Sequence, residues 1–303
     1  MRILLTGATG FIGRHVLREL GSAHDVVAVT RRAPADRFEP HVTFVQADLL
    51  RTDEVAELVR CARAETLVHL AWHVPAGSFW TSPENMAWLG ASLLLARAFA
   101  EQGGQRMVFA GSCAEYDWNS PMPLREEKSP ARPRSLYGHC KNSLRQVIEA
   151  YTAGTGLACL WCRIFWPYGS GEPAEKFLSG LLGALRNGGR AICHGANLRR
   201  DYIHVRDVAR ALAMAAESSL TGVMNVGRGE AVALGDMARM AAASVGRLDL
   251  LELHRARITT EVPEVVVASV ERLTQELGWK PRWSMLQGIA ELAGLPSITG
   301  ENV

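Results

Sequence analysis

Short apolar runs and longer amphipathic stretches take turns along the first half of the chain. Arg2 to Thr6 (RILLT) is a run suited to a buried strand, and Gly13 to Gly21 carries apolar residues at helical spacing. Further strand patterns fall at Asp25 to Thr30 (DVVAVT), His41 to Gln46 (HVTFVQ), Thr66 to Ala71 (TLVHLA), Arg106 to Ala110 (RMVFA) and Leu157 to Phe165. Helical patterns lie between them at Thr52 to Arg63, about Pro83 to Gln102, and Tyr137 to Tyr151. Strands nearly continuous in Val, Ile and Leu are buried on both faces, so the alternation predicts an α/β fold with a doubly wound parallel sheet. After Phe165 the rhythm breaks: WPYGSGEPAEK is rich in Gly and Pro, AICHG is strand-like and SVERLTQELGW helix-like. The pattern predicts a first domain over 1–166 and a smaller mixed α/β lobe over 167–303. A stretch near 201–228 is expected to return to the first domain.

Composition narrows the class without naming a chemistry. The 303 residues are 48% hydrophobic and 21% charged, ordinary for a globular chain able to bury a sizeable core. A formal charge of +2, with no run of like charges, offers no footprint for nucleic acid or an anionic membrane. No apolar stretch approaches the roughly 18 residues of a membrane span, and the opening MRILLTG is too short for a signal peptide. Six scattered cysteines fit a reduced, cytoplasmic protein. Cys159 and Cys162 sit three apart on a strand pattern, hence on opposite faces, which argues against a redox pair. The histidines show no metal-ligand spacing.

Candidate chemistry starts where the first strand ends. Residues 6–13 read TGATGFIG, with Gly7, Gly10 and Gly13 recurring every third position between a strand and a helix. Backbone without Cβ turns tightly and approaches a pyrophosphate, and a helix N-terminus offers free N–H groups and partial positive charge. In this strand–turn–helix context the spacing predicts a dinucleotide site, Thr9, Phe11 and Ile12 included, in a Rossmann-type fold rather than a plain turn. An NAD site usually has an acidic side chain at the end of the second strand, on the ribose 2′-hydroxyl. Here Thr30 holds that place, and Arg31 and Arg32 follow. Two guanidiniums suit a 2′-phosphate through charge-assisted bonds of about 1.5–3 kcal/mol each, so the expected cofactor is NADP(H). The alternative is a solvated pair of surface arginines. Asp48, with Leu49 beside it, ends the third strand where an adenine amino group can donate to it, or else caps the next turn. Ala71 closes the fourth strand on the same edge.

Tyr137 and Lys141 (YGHCK) stand four apart on a helix pattern and share a face. A nearby cation lowers a phenol pKa that is otherwise about 10 and makes Tyr137 a usable acid or base. The spacing alone is common. The glycine turn, and Ser112 in FAGSCAEYDW, give it weight.

TGATGFIG, GSCAEYDW and YGHCK, in this order, resemble the extended short-chain dehydrogenase/reductase family. RIFWPYGSGE, RRDYIHVRDVARA, GVMNVGRGE and LGWKPRWSMLQGI resemble the second lobe of its nucleotide-sugar branch, so the likeness runs from about residue 1 to 292. It implies that Ser112 bonds the reacting carbonyl or hydroxyl and that Tyr137 is the acid/base. It gives Lys141 the nicotinamide ribose and the lowering of the Tyr137 pKa. Arg200 in RRDY is implied at the substrate diphosphate; a structural ion pair with Asp201 or Asp207 is the alternative. His73 follows the fourth strand on the cofactor and substrate edge, as a substrate contact or a plain loop histidine. Trp88 stands where relatives carry an asparagine on the long helix, with Asn85 one turn earlier. Trp166 stands where many epimerases carry an asparagine that contacts substrate. Trp72, Trp80, Trp88 and Trp118 fall near this edge and either stack on a sugar or base or simply pack. A homodimer through the helices Pro83 to Gln102 and Tyr137 to Tyr151 is also implied.

One scaffold of this kind supports three reactions. Dehydration in the family uses Asp-Glu directly after the catalytic Ser or Thr, and Cys113 and Ala114 in those places argue against it. A 4-epimerase that retains NAD generally shows the acidic residue missing at Thr30. A reductase needs a hydride from NADPH, a proton from Tyr137 and polarisation by Ser112. The expectation is therefore NADPH-dependent reduction of the C4 ketone of a nucleotide-linked 4-keto-6-deoxyhexose, with the NAD-retaining 4-epimerase as the alternative. A non-catalytic NADP-sensing protein is a third reading, but such proteins commonly lose the Tyr/Lys pair kept here. Cys113 is expected to line the sugar pocket or pack, since relatives that use a thiol carry it at the place of Ala114.

Overall fold

The computed structural model describes residues 1–32 and 41–295. Its first part runs β1 (Arg2–Thr6), α1 (Gly13–Gly21), β2 (Asp25–Thr30), β3 (Val42–Gln46), α2 (Thr52–Ala62), β4 (Thr66–His69), α3 (Glu84–Glu101), β5 (Arg106–Ser112), α4 (Leu136–Thr155) and β6 (Ala158–Ile164). Then follow β7 (Trp166–Tyr168), α5 (Phe177–Arg186), β8 (Ala191–His194), β9 (Arg199–Arg200), β10 (Tyr202–His204), α6 (Val205–Glu217) and β11 (Gly222–Val226). The rest comprises β12 (Val232–Ala233), α7 (Leu234–Ser244), β13 (Leu251–His254), β14 (Val265–Val266), α8 (Glu271–Gln275) and α9 (Met285–Leu292). Residues 296–303 of the expected second lobe lie outside the described residues.

A seven-stranded sheet of order β11-β6-β5-β4-β1-β2-β3 forms the centre, and its strands all pair in parallel. Alternate residues of each strand enter two different cores, which is why these runs are apolar throughout. Ile3, Leu5, Val26, Ala28, Val68, Val108, Leu160 and Cys162 face α1 and α6. Leu4, Val27, Val29, Leu67, Met107, Phe109 and Trp161 face α2, α3 and α4. Cys162 thus lies in one core while Cys159 packs against the other, and both are free thiols. One boundary differs with consequence: β5 runs past Ala110 to Ser112, with Gly111 opposite Arg163 and Ser112 opposite Ile164 on β6.

The strand order reverses between β1 and β4, and in open α/β sheets a ligand crevice forms at the carboxyl ends beside such a point. The chain leaves the sheet at Trp166, builds a third core around Leu178, Leu182, Leu185, Met237 and Ala241, and returns as α6 and β11. Side chains seal the open side of edge strand β11: Arg272 donates to the Val223 and Thr221 carbonyls, and Glu126 accepts the Asn225 N–H at 2.9 Å. Among the described residues no helix is long and apolar enough to cross a membrane.

Candidate active site

The glycine turn sits on the reversal point. Gly7 has φ +71°, and a Cβ there would come within 2.8 Å of the Ala71 nitrogen, just past β4. A Cβ at Gly13 would fall 1.9 Å from the Gly7 carbonyl oxygen, so α1 starts in direct contact with the turn. The Gly10 N–H closes the turn onto the Gly7 carbonyl at 3.0 Å. Thr9 and Gly10 are exposed and Phe11 and Ile12 half-buried along its rim. No side chain caps the N-terminus of α1 and no acid lies in its first turn, which leaves its positive end for an anion. At the end of β2, Thr30 donates to the Arg32 carbonyl at 2.6 Å, fixing the bend from which Arg31 and Arg32 emerge, both exposed. Asp48 behaves as a turn cap, its Oδ1 accepting the Leu50 N–H at 3.1 Å, while Leu49 is buried beside it.

Ser112, Tyr137 and Lys141 come together at the ends of β5 and α4. The Ser112 hydroxyl lies close enough to the Tyr137 phenol to favour its ionised form. Burial pushes the Tyr137 phenol well above its usual value; the Ser112 hydroxyl opposes this, and the Glu115 and Cys113 charges add to it. The expected lowering of that phenol by Lys141 is absent from this arrangement. Lys141 Nζ instead donates to the Ala110 carbonyl at 2.8 Å and lies 3.8 Å from the centre of the Trp72 ring. Burial brings the ammonium down to about 7, and Glu115 opposes the fall.

A run of rings leads from Tyr137 to Arg200. Trp80 is 5.9 Å from Tyr137, Trp118 is 6.4 Å from Trp80, and Trp166 is 5.5 Å from Trp118, centre to centre. The Arg200 guanidinium lies 5.6 Å from the Trp166 ring. Trp118 spends its one N–H on the Cys113 carbonyl at 2.7 Å, which leaves its ring as apolar wall. Phe79 lies 4.9 Å from Tyr137, and the Tyr137 N–H donates to the Trp80 carbonyl at 3.1 Å, so the loop after β4 closes over the phenol.

Several expected residues take other places. Arg200 is 7% exposed and pairs with neither Asp201 nor Asp207; it donates to the carbonyls of Arg199 and Glu264. Asp201 is turned to the N–H groups of Arg228, Gly229 and Ala268, and Asp207 to those of Arg282 and Trp283. Cys113 is sealed among Tyr116, Leu124, Phe165 and Val266, and burial drives its thiol far up. His73 is exposed on the loop. Asn85 is buried and ties that loop down, donating to the Phe79 and Ser82 carbonyls and accepting the Trp72 N–H at 2.8 Å. Trp88 is packed in the core. Glu115, Trp161 and Arg163, which sequence reasoning passed over, form a buried cluster under Ser112.

A crevice at the switch point, floored by glycines and flanked by Ser112, Tyr137 and Lys141, defines the extended short-chain dehydrogenase/reductase class. The chain belongs to the NAD dependent epimerase/dehydratase family, whose model matches residues 3–227. It is similar to the UDP-glucose 4-epimerase of Corynebacterium glutamicum, 28% identical over 96% of this chain and 94% of that protein. It is also similar to the dTDP-6-deoxy-L-talose 4-dehydrogenase (NAD(+)) of Aggregatibacter actinomycetemcomitans, 26% identical over 74% of this chain and 83% of that one. The structure of the Thermus thermophilus UDP-glucose 4-epimerase complexed with NAD superposes with a TM-score of 0.84 at 25% identity, covering 97% of this chain and 98% of that chain.

Proposed function

We propose that the chain interconverts hydroxyl and ketone at C4 of a nucleotide-linked sugar, as a 4-epimerase that retains its nicotinamide dinucleotide. The observation that carries this is the convergence of the Ser112 hydroxyl at the end of β5 with Tyr137 and Lys141, which stand four apart on α4. The 4-epimerase among the similar proteins supports epimerisation over the reduction expected from the sequence. The uncapped α1 and the bare glycine floor suit a pyrophosphate held by Gly7, Thr9, Gly10, Phe11, Ile12 and Gly13, with Asp48 and Leu49 toward the adenine and Ala71 toward the nicotinamide. The bound nicotinamide supplies and accepts hydride. Tyr137 takes the proton from the C4 hydroxyl and returns it to the C4 oxygen, and Ser112 donates to that same oxygen. Lys141 holds the ribose and steadies the phenolate, leaving two neutral partners, the Ala110 carbonyl and the Trp72 ring, without stranding a charge. Arg200, free of any carboxylate, takes the diphosphate; the ring wall of Trp80, Trp118 and Trp166 supports a 6-deoxyhexose between it and Tyr137.

A second reading, the NADPH-dependent 4-ketoreductase, rests on Thr30, Arg31 and Arg32, which favour a 2′-phosphate. One assay separates the two. Purified protein is incubated with UDP- and dTDP-hexoses, their 6-deoxy forms and the 4-keto-6-deoxy sugars, with NADPH absorbance followed. C4 epimers formed without net NADPH loss support the epimerase; stoichiometric NADPH oxidation supports the reductase; neither product removes both. Tyr137→Phe is expected to lower turnover by about 10²–10⁴ while dinucleotide binding persists. Helices α3 and α4 expose Met86 and Val147, and we take that face as the homodimer contact; a monomer by sedimentation would remove it.

A further inference from the structure

A fully buried carboxylate lies under Ser112, and the chemistry above gives it no task. Glu115 has no exposed surface. Its Oε1 accepts the Ser112 N–H at 2.7 Å and the Trp161 indole N–H at 2.9 Å, and its Oε2 accepts Arg163 Nε at 2.8 Å. The Ser112 hydroxyl in turn accepts the Ala114 N–H at 3.2 Å, so strand end and the single turn Cys113–Glu115 close on each other as a capping box. The surroundings are shaped to this arrangement. A Cβ at Gly111 would fall 2.1 Å from the Trp161 indole nitrogen and 2.7 Å from Glu115 Oε1. A Cβ at Gly138, next to Tyr137, would fall 2.4 Å from the Ala114 carbonyl oxygen, so the turn lies flat against the helix that carries the phenol.

A neutral amide would offer Ser112 the same acceptor, and a buried charge is costly unless paired. One partner is Arg163, 2% exposed. The other cation that feels this carboxylate is Lys141. What faces Lys141 is otherwise uncharged: the Trp72 ring, the Ala110 carbonyl on β5, Tyr137 on its own helix, and His69 on β4, which burial keeps neutral. We propose that Glu115 is a positioning residue, locking the Ser112 hydroxyl onto Tyr137 and serving as the buried counter-charge of Lys141. This rests on Ser112, Tyr137 and Lys141 being the reacting set.

The test uses Glu115→Gln, which keeps shape and loses charge, and the paired E115Q/R163M, which leaves no orphaned guanidinium. The chain holds four lysines, Lys128, Lys141, Lys176 and Lys280, so ¹³Cε-lysine NMR follows Lys141 with no substrate present, assigned through Lys141→Met. Glu115→Gln is expected to titrate Lys141 at least half a pH unit lower than the wild type, and E115Q/R163M, which also sheds the Arg163 charge, by a smaller step in the same direction. Their kcat is expected to fall at least tenfold, with KM for the nucleotide sugar within threefold. A Lys141 titration unmoved in Glu115→Gln, or a kcat that falls less than tenfold there, overturns the proposal. Trp161→Phe removes one donor from Oε1 and keeps the charge; it is expected to lower kcat severalfold without moving Lys141. Where the charge variants fail to fold, an unaltered kcat in W161F overturns the proposal instead. A wild type inactive on every nucleotide sugar removes the functional reading alone, because the Lys141 titration still decides on Glu115.

Discussion

The proton on His69 is assigned by its neighbours. Ser92 donates its hydroxyl proton to the Trp88 carbonyl at 2.7 Å, so its oxygen accepts from His69 Nε2 at 2.9 Å. That leaves His69 Nδ1 bare to accept from the Thr6 hydroxyl at 2.7 Å, which itself accepts the Ala71 N–H at 3.3 Å. A second ring proton would oppose this ordered chain at a fully buried ring, and burial lowers the imidazole to about 3. The unfolded chain then takes up the proton first as pH falls. The stability from neutral His69 is full above the unfolded value of about 6.5 and drains away toward 3, about 2 kcal/mol by pH 5. Urea unfolding at pH 7.5 and 5.0 checks this: His69→Gln should lose less stability across the interval than the wild type, and equal losses would clear His69. Residues of this kind are the ones sequence reasoning misses. Glu115 carries no local signal of burial, because its partners Trp161 and Arg163 stand 46 and 48 positions away on β6, inside what reads as an apolar strand. Ser112, Tyr137 and Lys141 were legible because a strand end and one helix face bring them close. The orientation of Lys141, set by Trp72 on another loop, was not.

At the scale of elements, the same glycine count conceals opposite roles. Gly13 opens α1 against the Gly7 carbonyl, where a Cβ would fall 1.9 Å from the oxygen. The backbone of the turn would have to shift, and overpacking of this kind costs about 1–3 kcal/mol. Gly183 lies within α5, and a Cβ there meets nothing within 4 Å. Alanine removes backbone entropy from the unfolded state there and should stabilise by about 1 kcal/mol. Denaturant midpoints of the two alanine variants should therefore move in opposite directions, with dinucleotide affinity lost only in Gly13→Ala. The turn was legible because strand, glycine spacing and helix are contiguous. The ends of β5 and α4 were not, since pairing with β6 carries the strand to Ser112 and a left-handed Gly156, at φ +72°, stops the helix after Thr155.

For the whole molecule, the decisive feature is that the chain returns to the sheet it left. Helix α6 buries Val205, Val208, Ala209, Leu212, Ala213 and Ala216, packing on α1 and across β4, β5 and β6. Beside it β11 supplies the outermost strand, next to β6. Arg106, at the start of β5, fastens the two together by donating to the Ala215 carbonyl, the Ser218 hydroxyl at 3.0 Å and the Leu220 carbonyl at 2.8 Å. The first strands and helices therefore lack one of their own layers until residue 226 is in place. A chain ending at residue 165 would bare Val108, Leu160, Cys162 and Ile164 on the α6 side, open β6 as an unpaired edge, and strip the Arg106 guanidinium of the three acceptors that fasten it. Each loss favours association over folding, and none can be offset by the helices on the opposite face. The 1–165 fragment is thus expected to aggregate, or to bind a hydrophobic dye in far greater amount than the full chain. A soluble fragment with a sharp cooperative unfolding transition would show instead that the dinucleotide half is self-sufficient, and that α6 and β11 only trim it.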